Sequence, residues 1–150
     1  MKPGDVAPEF TLPGQDGTPR SLSELLADGP VVLFFYPMAS SPGCTKEACH
    51  FRDLGQEFAE AGAQRVGISA DPVDRQAGFA EANGFDYPLL SDAEGTVARA
   101  LGVQRPGPLP NKRATFVIDT DRTVREVVAS EISMDKHADA ALAALATRQR

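Results

Sequence analysis

The chain has 150 residues, with 15 Lys and Arg against 21 Asp and Glu, a net charge of −6 and 42% hydrophobic residues. That length suits a single domain over residues 1–150 with a sizeable core. The acidic balance and scattered cations exclude a nucleic-acid surface, which needs a basic patch to displace counterions. The longest strongly apolar run, "VVLFFY", is too short to cross a bilayer.

In chain order, "MKPGDVAPEF" has neither the apolar core nor the cleavage site of a signal peptide, so the expected location is cytoplasmic. "EFTL" and "PRSL" flank the turn-rich "PGQDGT" and predict an N-terminal hairpin. "SLSELLADG" reads as a short helix capped by Ser21 or Ser23. "VVLFFYP" is a continuous β-branched and aromatic run, the pattern of a strand buried on both faces. "RVGISA" and "ATFVIDT" share the same pattern. Between them, "DPVDRQAGFAEANG" predicts a helix with Asp71 as N-cap, Pro72 in the first turn and Asn83-Gly84 as the stop. "SDAEGTVARALG" gives a shorter helix, capped by Asp92 and ended by Gly102. Three prolines in "QRPGPLPNKR", residues 104–113, forbid a helix or a central strand. This loop reads either as a plain connector or as the border of a site. "TFVID-TDRT-VREVV" predicts a hairpin around Asp121, and "SMDKHADAALAAL" an amphipathic C-terminal helix capped by Ser133. Strands alternating with helices, plus a hairpin, imply a mixed sheet covered by helices on both faces. That agrees with a thioredoxin-like α/β fold, although periodicity alone does not separate it from a small flavodoxin-like one.

The only two cysteines, Cys44 and Cys49, sit in "YPMASSPGCTKEACHF". In a reducing compartment such a pair is catalytic or metal-binding more often than a structural staple. A helix is expected to begin near Gly43 and run through "CTKEACHFRDLGQEFAEAG", with Cys44, Ala48, Phe51, Gly55 and Phe58 on one apolar stripe. Cys44 then lies in the first turn, where unsatisfied N–H groups and the positive end of the helix dipole favour a thiolate. Pro42 and Gly43 restrict the entry and allow close backbone approach. Cys49 lies roughly 140° round the helix, its Cα roughly 8.6 Å from that of Cys44. A disulfide needs about 7 Å or less. The pair therefore cannot bridge while the helix is intact, which suggests a two-step role with local unwinding.

Competing readings stay open at this level. Two buried thiols serving as small hydrophobes are common. A zinc site needs four ligands, and only His50 and His137, both read as surface residues, supplement the cysteines. The spacing is not C-x-x-C, "ASSPG" is not a nucleophile elbow, and no phosphate loop or dinucleotide fingerprint is present.

"YPMASSPGCTKEACHFRD" resembles the active-site stretch of peroxiredoxins, in particular the bacterioferritin-comigratory (Q-type) branch. The family pattern Pro-x-x-x-Thr/Ser-x-x-Cys is met by Pro37, Ser41 and Cys44, and the branch's second cysteine by Cys49. "RATFVID" is similar to the family's Arg-bearing strand and supplies Arg113. "GDVAPEFTLPGQDG" and "LLSDAEGTVARALGV" extend the similarity over nearly the whole chain. Ser41 departs from the commoner Thr, keeping the hydroxyl but losing the methyl that restricts its rotamer.

The resemblance implies an antioxidant thiol peroxidase acting on hydrogen peroxide and organic hydroperoxides. Cys44 would be oxidised to sulfenic acid and Cys49 would condense with it. A thioredoxin-like dithiol protein would reduce the resulting disulfide. Arg113 would stabilise the thiolate and the peroxide oxygens, Ser41 would hydrogen-bond at the same centre, and Pro37 would shield the sulfur. The N–H groups of Gly43 and Cys44 would hold negative charge. Glu47, one turn on, would either orient this network or be a solvated glutamate. No metal, haem or flavin is called for, and the protein is expected to act as a monomer or weak dimer. Taken alone, without the resemblance, Arg113 reads more readily as a surface strand-end arginine in an ion pair worth little than as a catalytic residue. Two other functions use the same residues: a redox sensor or chaperone-like protein switched by the disulfide, and an inactive thioredoxin-fold interaction module.

Overall fold

The computed structural model describes residues 1–107, 109–130 and 133–148; Pro108 of the proline-rich loop lies outside them. Strands β1 (Thr11–Pro13) and β2 (Pro19–Ser21) pair antiparallel as the expected hairpin. Helix α1 (Leu22–Leu26) comes directly after, and of the two candidate caps Ser21 is used, its Oγ accepting from Glu24 N at 3.1 Å.

The main sheet has five strands in the order β5 (Leu89–Ser91), β4 (Gln64–Ser69), β3 (Val31–Phe35), β6 (Ala114–Ile118) and β7 (Val124–Ala129). β3, β4 and β5 run parallel, while β6 and β7 are antiparallel additions. Every residue of β3 is buried, as its unbroken apolar run requires. Its side chains alternate between two cores. Val31, Leu33 and Phe35 face α1 and α5 (Thr96–Leu101). Val32, Phe34 and Tyr36 face α2 (Pro42–Asp53), α3 (Gly55–Glu60), α4 (Val73–Asn83) and α6 (Met134–Arg148). The mixed sheet with helices on both faces is thus as the sequence pattern implies.

Several local details differ from the sequence reading. The helix through Cys44 is not continuous to residue 61: Leu54, at φ −93° and ψ 17°, divides α2 from α3. Gly55 is not part of the apolar stripe, since a Cβ there would come within 3.2 Å of the Arg65 guanidinium. The N-cap of α4 is Pro72, not Asp71. Asp71 turns its carboxylate to Ala39 N at 2.8 Å and the Ser69 hydroxyl at 2.6 Å instead. Gly84 ends α4 as expected, in the left-handed conformation that a side chain disfavours. The N-cap of α5 is Gly95, yet Asp92 still serves the helix start, accepting from Val97 N and Ala98 N at 3.2 and 2.9 Å. Among the described residues no helix is long and apolar enough to cross a membrane.

Candidate active site

β3 delivers the chain to the site. Beyond Phe35, a short loop passes Pro37, which is half-buried, and reaches Ser40 at φ 67°. A non-glycine residue in this region is uncommon and strained, and such strain gathers at functional turns. Ser41 is the extended N-cap of α2, with Pro42 in the first helical position. Its carbonyl accepts from Thr45 N and from the Thr45 hydroxyl, both at 2.8 Å. Cys44 is therefore the third helical residue, buried at 1% exposure among the apolar side chains of α2 and the sheet. The N–H groups of Gly43 and Cys44 come before the intrahelical bond from Thr45 to Ser41, in the turn where a helix leaves its donors free for an anion.

Arg113 precedes β6 and reaches across to α2. Its Nη2 donates to Cys44 Sγ at 3.4 Å and its Nη1 to Glu47 Oε1 at 2.7 Å. A Cβ on Gly43 would stand 3.4 Å from Arg113 Nη2 and 3.5 Å from Met134 Sδ, so glycine leaves this approach open. The surface ion-pair alternative for Arg113 is thereby excluded: Arg113 is 6% exposed and Glu47 0%. The solvated-glutamate alternative for Glu47 falls with it. Burial works against the charge on Arg113, but the charges of Glu47 and Cys44 outweigh it and hold the guanidinium above its ordinary value.

His137 corrects the sequence reading. Expected at the surface, it is fully buried on α6 against α2 and β6. Its Nε2 lies 2.8 Å from Ser130 O, and its Nδ1 lies 2.8 Å from Thr115 Oγ1 and 3.6 Å from Glu47 Oε2. The small Ala138 and Ala141 beside it bring α6 close enough for this contact. His50, read as solvated, is partly exposed at the rim of the α2–α6 contact, its Nε2 2.9 Å from Asp139 Oδ1.

Ser41, expected to hydrogen-bond at the catalytic centre, donates its hydroxyl to Met38 O at 2.8 Å. Cys49 is half-buried on another side of α2, its Sγ 3.7 Å from Asn83 Oδ1. Both thiols are free and both lie within the unbroken α2. Two residues that the sequence did not single out hold this helix. The Tyr87 hydroxyl donates to Ala48 O at 2.7 Å in a buried contact. Arg65 Nη1 donates to Phe51 O at 3.0 Å. Burial above all, with the charge of Tyr36 next, pushes the Tyr87 phenol well above the usual tyrosine range, so it remains a donor. Among the described residues no group of three or more His, Cys, Asp or Glu is placed to hold a metal.

A mixed sheet with a separate hairpin, and a cysteine opening the helix after the central strand, define a thioredoxin-like thiol protein. The sequence pattern of the AhpC/TSA family matches residues 3–127. The chain is 68% identical over 148 residues to a Mycobacterium tuberculosis protein assigned to the peroxiredoxins, covering 97% of this chain and 96% of that one. It is 42% identical over 141 residues to the chloroplastic peroxiredoxin Q of Gentiana triflora, covering 93% of this chain and 64% of the longer plant protein. In structure it superposes on peroxidoxin BcpB of M. tuberculosis with a TM-score of 0.96 at 66% identity, over 98% and 97% of the two chains. For the bacterioferritin comigratory protein of Xanthomonas campestris the TM-score is 0.87 at 33% identity, over 94% and 92%. The chain belongs to the AhpC/TSA family and, within it, to the Q-type peroxiredoxins, which are peroxidases.

Proposed function

We propose that the protein reduces hydroperoxides through Cys44, resolves the oxidised sulfur with Cys49, and is recycled by a dithiol protein of the thioredoxin type. The observation that carries this reading is the buried Arg113 fork, one nitrogen on Cys44 Sγ at 3.4 Å and the other on Glu47 Oε1 at 2.7 Å. A permanent cation beside a sulfur in the first turn of a helix favours the thiolate, which is the nucleophile. The same guanidinium can stabilise charge that develops on the peroxide oxygens.

In the first step the Cys44 thiolate attacks one peroxide oxygen. The S–O bond forms, the O–O bond breaks, and the departing oxygen leaves as water or alcohol after taking a proton. The Ser41 hydroxyl donates to Met38 O, so its oxygen keeps lone pairs to offer to an incoming O–H. Pro37, without an N–H, limits access to the sulfur from that side. In the second step Cys49 attacks the sulfenic sulfur, water leaves and a disulfide forms. An external dithiol then reduces it by two thiol–disulfide exchanges. The second step needs local unwinding of α2, since both cysteines lie in one regular helix. A reducing, cytoplasmic setting keeps both thiols available.

The test uses the reduced protein and a stopped-flow titration with hydrogen peroxide and an alkyl hydroperoxide. Rapid consumption of one equivalent, with turnover on adding thioredoxin and its reductase, is expected. Cys44→Ser removes the ionisable sulfur and should abolish consumption. Retention of more than a trace of turnover by that variant would refute the assignment of the reacting sulfur.

A further inference from the structure

The turn between β3 and α2 has a shape that its own sequence disfavours. Ser41 N donates to Met38 O at 3.4 Å and the Ser41 hydroxyl donates to the same oxygen at 2.8 Å, closing a four-residue turn over Ala39 and Ser40. Ser40 is the third residue of this turn, at φ 67°. Turns with positive φ at that position favour glycine or asparagine there, because a β-carbon crowds the backbone. Ser40 is also exposed, so burial of its own side chain does not compensate. A strained residue of this kind persists only where the surrounding structure over-determines it.

Asp71 supplies that constraint. Ala39, between the exposed Met38 and Ser40, is buried, and its N–H donates to Asp71 Oδ2 at 2.8 Å. The same oxygen accepts from the Ser69 hydroxyl at 2.6 Å. Ser69 Oγ in turn accepts from Gln76 Nε2 at 2.9 Å, which also donates to Leu90 O at 2.8 Å. Gln76 Oε1 takes the hydroxyl of Tyr36, the residue that follows β3. Burial pushes this phenol well above the usual tyrosine range, so it stays a donor. Tyr36, Ser69 and Gln76 are fully buried, and Asp71 is 8% exposed. β3, β4, β5 and α4 thus converge, through one carboxylate oxygen, on a single backbone N–H of the turn.

We propose that Asp71 is a positioning residue for the peroxide step: its grip on Ala39 holds the Ser40 turn in the shape that presents Pro37 and Ser41 beside Cys44. That role rests on Cys44 being the reacting sulfur. Pro37 lies two residues before Ala39, and Ser41 two after it. Ser41 is the N-cap of α2 and Cys44 its third helical residue, two positions that face each other across the first turn of a helix. Without the carboxylate oxygen the buried Ala39 N–H loses its acceptor, and Ser40 relaxes towards negative φ. That rotation re-aims Ser41 and the start of α2, and with them the N–H groups beside the sulfur. A displacement of about 1 Å at a reacting centre costs up to about 10²-fold in rate. Arg75 is largely exposed, and its Nη1, 3.8 Å from Asp71 Oδ1, adds an ion pair of little weight.

The test compares second-order rates of peroxide consumption by the reduced proteins, with melting temperatures alongside. Asp71→Ala should be slower, on the order of tenfold, and should melt earlier because Ser69 loses its acceptor too. Asp71→Asn keeps an acceptor oxygen for Ala39 and should recover most of the rate. Ser40→Gly added to Asp71→Ala should also recover most of the rate, since glycine holds positive φ without strain. Its melting temperature should stay below that of the wild type, because glycine returns nothing to Ser69. An Asp71 that served the fold alone would lose and regain rate and stability together. Asp71→Ala at the wild-type rate overturns the proposal, and so does either Asp71→Asn or the Ser40→Gly double variant running no faster than Asp71→Ala. If Asp71→Ala does not fold, amide hydrogen exchange of the reduced wild type decides. The Ala39 amide should exchange as slowly as those of β3, and one that exchanges as fast as a free amide overturns the grip. If the wild type itself consumes no peroxide, the peroxidase reading has failed instead; Ala39 exchange still reads the grip of Asp71, so the two failures are distinct.

Discussion

Replacing Tyr87 by phenylalanine should accelerate the disulfide step and leave the peroxide step alone. Bringing Cys49 to Cys44 requires the first turns of α2 to open, because their Cα atoms are roughly 8.6 Å apart on a regular helix and a disulfide needs about 7 Å or less. Opening has a natural boundary at Phe51. That side chain is fully buried, its ring stacks on Phe34 at 4.1 Å between centroids, and its carbonyl takes Arg65. Exposing it would cost about 2–3 kcal/mol of apolar burial and about 1 kcal/mol of ring stacking. On the moving side, opening breaks the contacts of Glu47, Ala48 and Cys49 with Arg113, Tyr87 and Asn83. The Tyr87 bond is the simplest to remove, since Ala48 O keeps its place in the helix ladder and no buried charge is stranded. A buried hydrogen bond of this kind is worth about 1 kcal/mol net, and its loss shifts the opening equilibrium about fivefold. Mixing the reduced protein with one equivalent of peroxide, quenching with an alkylating reagent at millisecond intervals and mapping by mass spectrometry gives both rates. Disulfide formation should be about fivefold faster, with the peroxide step changed less than about twofold because the Tyr87 hydroxyl bonds Ala48 O and the Arg113 fork bonds Cys44 and Glu47. An unchanged or slower disulfide step would refute this account of the opening.

Arg113→Ala should slow the peroxide step by about 10²-fold or more, the loss expected for a charge-stabilising donor at a reacting centre. It also takes the guanidinium away from the buried Glu47, so thermal unfolding should come earlier; adding Glu47→Gln should recover much of the melting temperature but not the rate. Cys49→Ser should consume the first equivalent of peroxide normally, accumulate sulfenic acid and then over-oxidise, as intact-mass measurement would record. Asp86 is held below its ordinary value of 3.8 by the hydrogen bond from Arg65. Its small contribution to stability is therefore present above the unfolded value and is lost as pH falls through the lower folded one. Asp86→Asn should lower the melting temperature slightly at neutral pH and not at pH 2, the difference to be read by calorimetry.

How much of the fold and site was legible in the sequence depended on whether a residue's role is set by its neighbours along the chain or across the fold. The spacing of Cys44, Ala48 and Phe51 gave the buried face of α2, because a helical stripe is a local property. Gly84 and Gly102 ended their helices for the equally local reason that both sit at positive φ. Asp71 and Asp92 were recognisable as capping types, but a carboxylate shortly before a helix chooses among donors that only the folded loop assembles. Asp71 found Ala39 across the sheet, and Asp92 reached past the left-handed Gly95. Gly55 read as a spacer on the stripe, and only the Arg65 guanidinium packed over it explains the missing side chain.

The candidate site divides in the same way. Cys44 stood out by position, opening a helix, whereas Arg113, leading a buried strand, was marked by the family resemblance. Glu47 and His137 were on buried stripes that could have been counted: Glu47 falls between Cys44 and Phe51, and His137 leads Ala141 and Leu145 at intervals of four. Their polarity argued for solvent, since an ionisable side chain is rarely buried alone. What reverses that inference is not a property of either residue. Glu47 is tolerable inside because Arg113 reaches it from the start of β6, and His137 because Thr115, Ser130 and Glu47 surround it. Each burial is conditional on the others. A polar residue that repeats at core spacing on two helices is thus better taken as half of a buried pair than as a break in the apolar face.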